Sequence, residues 1–391
     1  MIRLIKKFWI YIKYIANAKK TWSRPNKSSV LVYDASGADI IFEYIKQWSP
    51  EVLHLRGESI NLQVLLLALL KGGKPHDSYV DEYIRIVEPD LIITFIDNNL
   101  NFLTISDRHK SIKTLFIQNG MRYYYGDIFY TMDSIHPSNL KKLTVDYMMT
   151  FGELIGSHYQ KYISGSVIPI GSIKNNLVPK KSSKDNNVMA YLSQYKGGRN
   201  IDGRYYDYES YAGKSVKFVI QFLKDYAELN KKKLKIIPRF SKGLNSRIQE
   251  EYYYENLLGY EPQFLESEQD FSSYHACDMS EVVISIDSTL GIESIARGNK
   301  TAIFSIRGSM LDLKGFDYGW PGDYPEKGLF WTNQCDAESF KKNLDYLFNV
   351  DNMQWHEDLE KINFSLIMKY DEGNAIFKDT INKIIEASKV A

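Results

Sequence analysis

The segment from Glu281 to Phe304 constrains the fold of this chain more than any other. An apolar, β-branched run from Val282 to Ile286 is followed by the polar triplet Asp287-Ser288-Thr289. Gly298 ends the stretch that comes next, and a second apolar run, Thr301 to Phe304, follows. Apolar runs predict buried strands, the polar triplet predicts a helix start and the glycine predicts a helix end. The segment is therefore predicted to form a β-loop-α-turn-β unit.

The same alternation of apolar runs and helical patterns recurs from Ser29 to Ile163 and again from Val188 onwards. Strands that alternate with helices predict a parallel sheet covered on both faces. A chain of 391 residues is too long for one ordinary core. The predicted fold class is therefore α/β, with two Rossmann-like domains that face each other across a cleft.

Composition along the chain predicts five regions. The polar run from Lys174 to Asn187, rich in Lys, Ser and Asn, separates the two alternating series and is therefore predicted to be a linker. The last helices are predicted at Ala337 to Phe348 and Phe364 to Ala387, after the final predicted strand, and the C-terminal helices at 356–391 are expected to pack back on the first domain. The regions are a basic amphipathic helix at 1–27, a first Rossmann-like domain at 28–172, a linker at 173–187, a second Rossmann-like domain at 188–355 and C-terminal helices at 356–391.

Overall composition argues against several classes of protein. A formal net charge of +1 is unlike that of a general nucleic-acid binder, which needs many cations on phosphates. Two cysteines, Cys277 and Cys335, are too few for a disulfide framework or a zinc site and are typical of a reducing compartment. No apolar stretch approaches the ~20 residues that a membrane-spanning helix needs.

The N-terminal region is strongly positive, although the net charge of the whole chain is close to zero. Residues 1–33 contain eight Lys or Arg and no Asp or Glu. On a helical projection, Leu4, Ile5 and Phe8 share one side, and Lys6 and Lys7 lie opposite. This pattern is typical of a helix that lies on an anionic bilayer, although a basic helix packed on the protein's own surface would look similar. The expected location is the cytoplasmic face of the inner membrane, as a peripheral protein.

Functional residues are expected in the loops at the carboxyl ends of the strands, where open parallel sheets bind ligands. In the second domain, the start of the helix after Asp287 is expected to hold a nucleotide phosphate through N–H groups and hydroxyls. The alternatives are ordinary helix capping for Ser288, Thr289 and Glu293, and a surface ion pair for Arg239. The donor-binding candidates are Ser193, Gln194, Arg239, Ser288, Thr289, Gly291 and Glu293, with Glu293 expected to contact ribose.

In the first domain, Asp97 follows an apolar run and is the preferred general base, because a partly desolvated carboxylate can accept a proton from a hydroxyl. A helix cap is the alternative role, and Asp34 is the second candidate base. Arg122 is expected to balance an anion from the opposite side of the cleft. The remaining cleft candidates are Asn98, Asn119 and Gly120.

Familiar catalytic motifs are missing from the sequence. It has no GxxxxGK[ST], GxSxG or HExxH, no GxGxxG after the first strand, and no Asp-x-Asp that would indicate a Mn²⁺-dependent sugar-nucleotide site. Catalysis is therefore expected to need no metal and no cofactor, with leaving-group charge neutralised by Arg, Lys and helix N–H groups.

Several short motifs resemble those of bacterial surface-carbohydrate biosynthesis proteins. They are Gln118-Asn-Gly120, Ile170-Gly-Ser172, Pro238-Arg239, Ser288-Thr-Leu-Gly-Ile-Glu293 and Ala296-Arg-Gly298. The resemblance covers most of the chain after about Ser28 and implies a glycosyltransferase of the GT-B fold that builds O-antigen or capsule. It also implies an activated-sugar donor on the second domain and a glycan or lipid-linked acceptor on the first.

The resemblance further favours a CMP-activated nonulosonic acid (pseudaminic, legionaminic or sialic type) or CMP-Kdo as donor. Related enzymes carry a His-Pro pair at the end of the corresponding strand, whereas this chain has Ile237-Pro238 followed by Arg239. Three alternatives stay open on the sequence: a UDP-hexose glycosyltransferase, a sugar-nucleotide epimerase of the same fold, and a non-catalytic assembly subunit docked to the membrane.

Overall fold

The computed structural model describes residues 17–390, apart from residues 183, 202–203, 209–211, 267–270 and 314. Most of the predicted N-terminal helix, residues 1–16, lies outside the described residues. Lys19–Thr21 forms a short strand (β1) that pairs in parallel with Ser59–Asn61 (β4). The helix predicted over residues 1–27 therefore does not continue to its predicted end, because residues 19–21 take part in strand pairing.

Six parallel strands form the first sheet, and two of its inner strands, Val30–Tyr33 and Leu91–Thr94, are buried along their whole length. Sheets of this kind need helices on both faces, and two hydrophobic clusters flank this one. The strand order is Glu51–Leu53 (β3), Val30–Tyr33 (β2), Leu91–Thr94 (β5), Lys113–Ile117 (β6), Thr144–Thr150 (β7) and Ser164–Pro169 (β8).

Eight helices accompany this sheet in the described part of the chain. Gly37 precedes the first of them with a φ of 73°, and a Cβ there would lie 2.4 Å from the Phe95 ring, so this tight strand-to-helix turn requires glycine. The helices are Ala38–Ile45 (α1), Leu62–Lys71 (α2), Pro75–Val87 (α3), Ile105–Arg108 (α4), Ile128–Asp133 (α5), Pro137–Leu140 (α6), Glu153–Tyr159 (α7) and Ile173–Leu177 (α8).

Five parallel strands form the second sheet. Their order is Lys233–Ile237 (β12), Asp185–Leu192 (β9), Ser280–Ser285 (β13), Thr301–Phe304 (β14) and Trp331–Thr332 (β15). A separate antiparallel pair is formed by Arg199–Ile201 (β10) and Arg204–Tyr206 (β11). The helices are Lys214–Leu229 (α9), Asn245–Leu258 (α10), Ser272–Met279 (α11), Thr289–Ala296 (α12), Arg307–Leu311 (α13), Ala337–Asn349 (α14) and Asn352–Lys361 (α15). Each sheet with its helices is a Rossmann-like domain, as predicted.

The chain passes between the two domains twice. The first passage contains Gly171, and the second runs through residues 366–371, where the Lys369 N–H donates to the Phe151 carbonyl. The two passages touch, because a Cβ at Gly171 would lie 2.1 Å from the Lys369 carbonyl oxygen. Asn176 also donates to Asn374 at 3.0 Å. These contacts connect the start of the second domain to the C-terminal segment.

The C-terminal segment differs from its prediction. A single helix was expected from Phe364 to Ala387, but Ala375–Val390 (α16) begins later. Gly373, with a φ of 72°, interrupts the helical backbone before it. Side chains of α16 lie in the same cluster as Val30 and Ile41 of the first domain.

The segment predicted as a linker, residues 173–187, contains regular structure at both ends. Helix α8 occupies its start, and β9 begins at Asp185. Asn175 and Asn176 of α8 are buried and bonded to other elements. The irregular part of the segment is therefore shorter than predicted.

Candidate active site

The loop between β13 and α12 lies at the carboxyl edge of the second sheet. Ser288 occupies the N-cap position with an extended backbone, but no side chain caps the helix within the described residues. The Ser288 hydroxyl likewise has no hydrogen-bond partner among them. The N–H groups of Thr289 and Leu290 and this hydroxyl are therefore available to an anionic group, whereas the Gly291 N–H donates to the Ser288 carbonyl at 2.9 Å.

Behind this loop, Asp287 forms a buried ion pair with Arg307, the first residue of α13. Burial by itself would lower the pKa of Arg307, but the Asp287 charge together with the nearby tyrosines raises that pKa above its ordinary value. The guanidinium Nε and Nη2 are buried and have no hydrogen-bond partner in the part of the chain that the structure describes. Buried donors without partners are rare in proteins, so an anion that accepts from them would be stabilised here.

Two hydrogen bonds connect this loop to the first domain. The Met121 N–H donates to Thr289 Oγ1 at 3.0 Å, and the Tyr123 hydroxyl donates to the Asp287 carbonyl at 2.7 Å. The Tyr123 ring also stacks on Phe316 with centroids 4.5 Å apart. The predicted loops from both domains therefore meet in the structure. Thr289 keeps its hydroxyl proton for a further partner, because it acts only as an acceptor toward Met121.

A cavity of about 450 Å³ opens between the domains next to α12. Asp39 and Lys174 contribute opposite charges to it, and neither has an ion-pair partner among the described side chains. Glu293 lines the cavity from α12. The full lining is Asp39, Ile40, Lys174, Phe271, Ser273, Tyr274, Leu290 and Glu293.

Glu293 is already bonded within the protein. Its carboxylate accepts from the Ser172 hydroxyl at 2.5 Å and from the Tyr274 hydroxyl at 3.1 Å. These partners exclude the capping-box alternative, which requires a bond to the N-cap backbone. Burial raises the pKa of Glu293, and the two hydroxyls oppose that rise. Contact with a ribose stays a prediction for this residue.

The structure corrects the role expected for Asp97. This carboxylate is fully buried and accepts from Arg122, from the Tyr159 hydroxyl at 2.6 Å and from the Asn119 N–H at 3.2 Å. Four hydrogen bonds, two of them from Arg122, leave no oxygen that an acceptor hydroxyl can approach. Asp97 is therefore not placed to act as a general base, and it is not a helix cap either.

The role expected for Arg122, to balance an anion across the cleft, is corrected for the same reason. Its guanidinium forms a fork on Asp97 and reaches Asp127 at 3.4 Å, inside the first domain. Burial alone would lower its pKa, yet the Asp97 charge raises that pKa well above the ordinary value. Arg122 thus neutralises a carboxylate of its own domain, and the structure does not direct it across the cleft.

The other first-domain candidates lie at the carboxyl edge of the sheet. Asp34 is buried and accepts from the Arg56 Nε at 2.8 Å, and its role as a base stays a prediction. Asn98 lies between two shallow grooves of about 290 and 380 Å³. Asn119 accepts from Arg122 at 2.5 Å, and Gly120 lies next to Thr289.

Ser193 and Gln194 of the second domain support the site from behind. The Ser193 hydroxyl donates to Glu250 and accepts from Tyr254 at 3.0 Å, so it already acts as both donor and acceptor within the protein. The Gln194 amide, with its nitrogen toward Asp287, accepts from the Ser288 N–H at 3.0 Å. These two side chains therefore hold the loop, and the structure corrects the direct donor contact expected of Ser193.

Arg239 is exposed after β12, and only its own backbone N–H is bonded to a carboxylate, that of Glu250. The guanidinium has no ion-pair partner among the described residues, which rules out the surface ion pair considered from the sequence. A phosphate contact stays a prediction. Gly291 lies in the first turn of α12, packed against Ser285.

Asp39, Lys174 and Arg307 were missed from the sequence. Arg307 follows a predicted strand by three residues, the same signal that selected Arg239, whereas Asp39 looks like an ordinary first-turn acid of a helix. Among the described residues, no group of three or more His, Cys, Asp or Glu is arranged to hold a metal ion. No helix of that region is both long enough and apolar enough to cross a bilayer.

Comparisons with solved structures agree on the fold. A glycosyltransferase from Rickettsia africae ESF-5 superposes with a TM-score of 0.50 at 13% identity, covering 93% of this chain and 99% of that one. The UDP-GlcNAc 2-epimerase from Neisseria meningitidis bound to UDP-GlcNAc gives 0.50 at 11% identity, covering 92% and 99%. At such identities the likeness shows the fold alone, which is GT-B, as predicted.

Sequence comparisons identify the family of the chain. No curated protein matches the chain. A family model described as "putative O-antigen biosynthesis protein" matches residues 115–385, which is well over half of the chain. The chain therefore belongs to this family of O-antigen biosynthesis proteins.

Proposed function

We propose that this protein is a glycosyltransferase that moves a sugar from a nucleotide-activated donor to a surface-polysaccharide acceptor. The observation that carries the proposal is the cavity between the domains, which is bordered by α12 close to its uncapped N-terminus. Membership of the O-antigen family supports it, since building such a polysaccharide requires transfer of activated sugars.

The donor is proposed to bind against the second domain. Its phosphate accepts hydrogen bonds from the Ser288 hydroxyl, the Thr289 hydroxyl and the first N–H groups of α12. Arg307, which pairs with Asp287 directly before Ser288, supplies a buried positive charge, and two of its N–H donors lack partners within the described structure. The rings of Phe271 and Tyr274 line the adjacent cavity and offer apolar surface to the base.

The acceptor is proposed to bind against the first domain, with Asp39 as the general base. Asp39 is the exposed carboxylate of that domain that lines the cavity, and it carries no ion pair within the described residues. A base must reach the hydroxyl proton it removes, which Asp39 allows and Asp97 does not. The grooves beside Asn98 give a glycan chain room to extend.

Two finer parts of the proposal rest on the sequence. The donor is proposed to be a CMP-activated nonulosonic acid or CMP-Kdo, by resemblance, with a UDP-hexose as the alternative. The basic residues at 1–33 are proposed to hold the protein on the inner face of the cytoplasmic membrane, next to a lipid-linked acceptor.

Nucleotide binding tests the donor site first. Titration calorimetry with CMP, UDP and GDP on the full chain should show one nucleotide that binds, and a CMP preference would establish the donor class. Ser288→Ala and Arg307→Gln should each weaken that binding about 10-fold or more, because each removes a hydrogen bond to a charged group. Glu338→Gln, in an exposed ion pair far from the site in sequence, is the matched control and should bind normally.

Turnover tests the base. Asp39→Asn should lower kcat by about 100-fold or more and leave nucleotide affinity unchanged. Asp225→Asn, an exposed acid of α9, should have no effect. Two results would overturn the proposal: conversion of a sugar nucleotide without any acceptor, which indicates an epimerase, or full function of both Asp39→Asn and Arg307→Gln, which indicates a non-catalytic subunit.

A further inference from the structure

Helix α2 has an unusual distribution of leucines. Its sequence, Leu62-Gln-Val-Leu-Leu-Leu-Ala-Leu-Leu-Lys71, is almost entirely apolar, but only Val64 and Ala68 are buried. Leu66, Leu69 and Leu70 are 53%, 59% and 85% exposed. Soluble proteins seldom leave neighbouring large apolar side chains in water without a partner for them.

Trp22 extends this apolar region at the start of the helix. It directly follows β1, which pairs with β4, and β4 leads into α2. Asn61 caps α2 through the Val64 N–H at 3.1 Å and also donates to the Ser23 carbonyl at 2.7 Å. Trp22 is 64% exposed beside this junction. We call Trp22, Leu66, Leu69 and Leu70 the leucine face.

Several cations lie beside the leucine face, although the exposed Glu58 lies next to one of them, Lys19. Residues 62–76 contain no Asp or Glu, and Lys71 and Lys74 follow directly at the end of the helix. Lys71 pairs with Glu82, whereas Lys74 is exposed and has no ion pair among the described residues. Lys19 and Arg24, exposed on either side of Trp22, belong to the acid-free residues 1–33.

We propose that the leucine face inserts into the surface of an anionic phospholipid bilayer, with the adjacent cations on lipid headgroups. Exposed leucines and a tryptophan with exposed Lys and Arg side chains nearby match the chemistry of an interfacial membrane contact. A second copy of the chain is a poorer partner, because it would bring the same cations face to face. The inference rests on the membrane location proposed above and identifies the surface of the first domain that contacts the membrane.

Vesicle binding by the full chain tests this inference. The double variant Leu69→Gln/Leu70→Gln should reduce partition onto phosphatidylglycerol-containing vesicles by about 10-fold or more, since two leucines no longer leave water. Its thermal midpoint should not fall, because both side chains are exposed. Leu229→Gln, which changes a leucine of α9 that is 76% exposed, is the matched control and should bind like the wild type.

Charge variants test the electrostatic part. Lys74→Glu should weaken binding to phosphatidylglycerol vesicles, and added salt should reduce the difference. Lys242→Glu, an exposed lysine of the second domain, should bind normally. Unchanged vesicle binding by Leu69→Gln/Leu70→Gln would overturn the inference, as would a wild-type dimer in sedimentation that this variant dissociates.

Turnover on short soluble glycans separates this inference from the proposed function. If the protein is a transferase, the leucine-face variant should keep wild-type turnover in solution. A wild type with no turnover but leucine-dependent vesicle binding would contradict the glycosyltransferase proposal and leave the membrane surface supported.

Discussion

At the scale of single residues, Asp97 shows that pairing with an arginine changes the role a buried carboxylate can have. Asp97 follows a buried strand, which is where a catalytic acid is expected, and the sequence gives no reason to connect it with an arginine 25 positions away. Once paired, its charge is compensated and its lone pairs are occupied. Sequence reasoning found the correct sheet edge but not the pairing, because pairing depends on tertiary contacts between two loops.

The first prediction concerns this pair. Asp97→Asn should lower the free energy of unfolding by about 3 to 5 kcal/mol, because the buried Arg122 loses its main carboxylate partner and keeps only the longer contact with Asp127 at 3.4 Å. Urea unfolding at neutral pH measures the loss. Glu338→Gln, which breaks the exposed pair with Lys342, should cost less than about 1 kcal/mol. Equal small losses in both variants would contradict the structural role of Asp97.

The second prediction concerns His158, which lies among Phe129, Tyr162 and Trp320. Burial and, to a smaller extent, the Lys161 charge lower its pKa to about 4, and Asp133 opposes the shift. Because the unfolded chain has the ordinary value near 6.5, it binds a proton before the folded chain does. The contribution to stability is therefore complete above pH 6.5 and should be lost as the pH falls toward 4.

Unfolding by urea at a series of pH values measures this effect. His158→Phe, which keeps an aromatic ring, should show a shallower loss of stability between pH 6.5 and 4 than the wild type. Parallel curves for the two proteins would show that His158 stays accessible to protons in the folded state.

At the scale of elements, the sequence predicted strands and helices best where apolar periodicity is strong. The strand predicted at Thr301 to Phe304 matches the bounds of β14 to the residue. The sequence missed Ser164–Pro169, whose side chains are exposed or half-buried at the sheet edge, so no apolar run marks the strand. It also missed α15, a polar helix in which Trp355, Asp358 and Leu359 are the buried residues.

The third prediction concerns the contact between α12 and β13. A Cβ at Gly291 would lie 2.5 Å from the Ser285 Cβ, so Gly291→Ala must displace the helix that presents Ser288. It should cost about 1 to 3 kcal/mol of stability and also weaken nucleotide binding. Thermal unfolding with and without the preferred nucleotide measures both effects.

Gly120→Ala is the control for that variant. Its Cβ would lie 3.7 Å from Thr289 Oγ1, an ordinary contact, so the substitution should be tolerated. If Gly291→Ala were equally harmless, close packing of α12 would not be what positions the loop.

At the scale of the whole molecule, α16 follows the second domain in sequence but lies in a core of the first. Phe377 and Ile381 are buried in the same cluster as Val30 and Ile41. The sequence predicted that the C-terminal helices at 356–391 cross back, from the observation that the second domain's strands were already used. It did not predict the late start of the helix, since Gly373 breaks the backbone in a way that apolar periodicity does not show.

The fourth prediction follows from this crossing. Ile381→Ala should destabilise the first domain by about 2 to 5 kcal/mol, although the residue lies beyond the second domain in sequence. Asn382→Ala, exposed on the same helix, should have little effect. Hydrogen exchange in β2 and in β13 measures each domain separately. Loss of protection confined to β13 would contradict the shared core.

The two adjoining passages of chain at Gly171 and Lys369 restrict how the domains can move. Attachment at two neighbouring points defines an axis, so the domains can rotate about that axis but cannot slide past one another. Any widening of the space between Asp39 and α12 must then be greatest far from the axis. A polysaccharide acceptor of the kind proposed above should consequently enter and leave by the side of the molecule remote from these attachments.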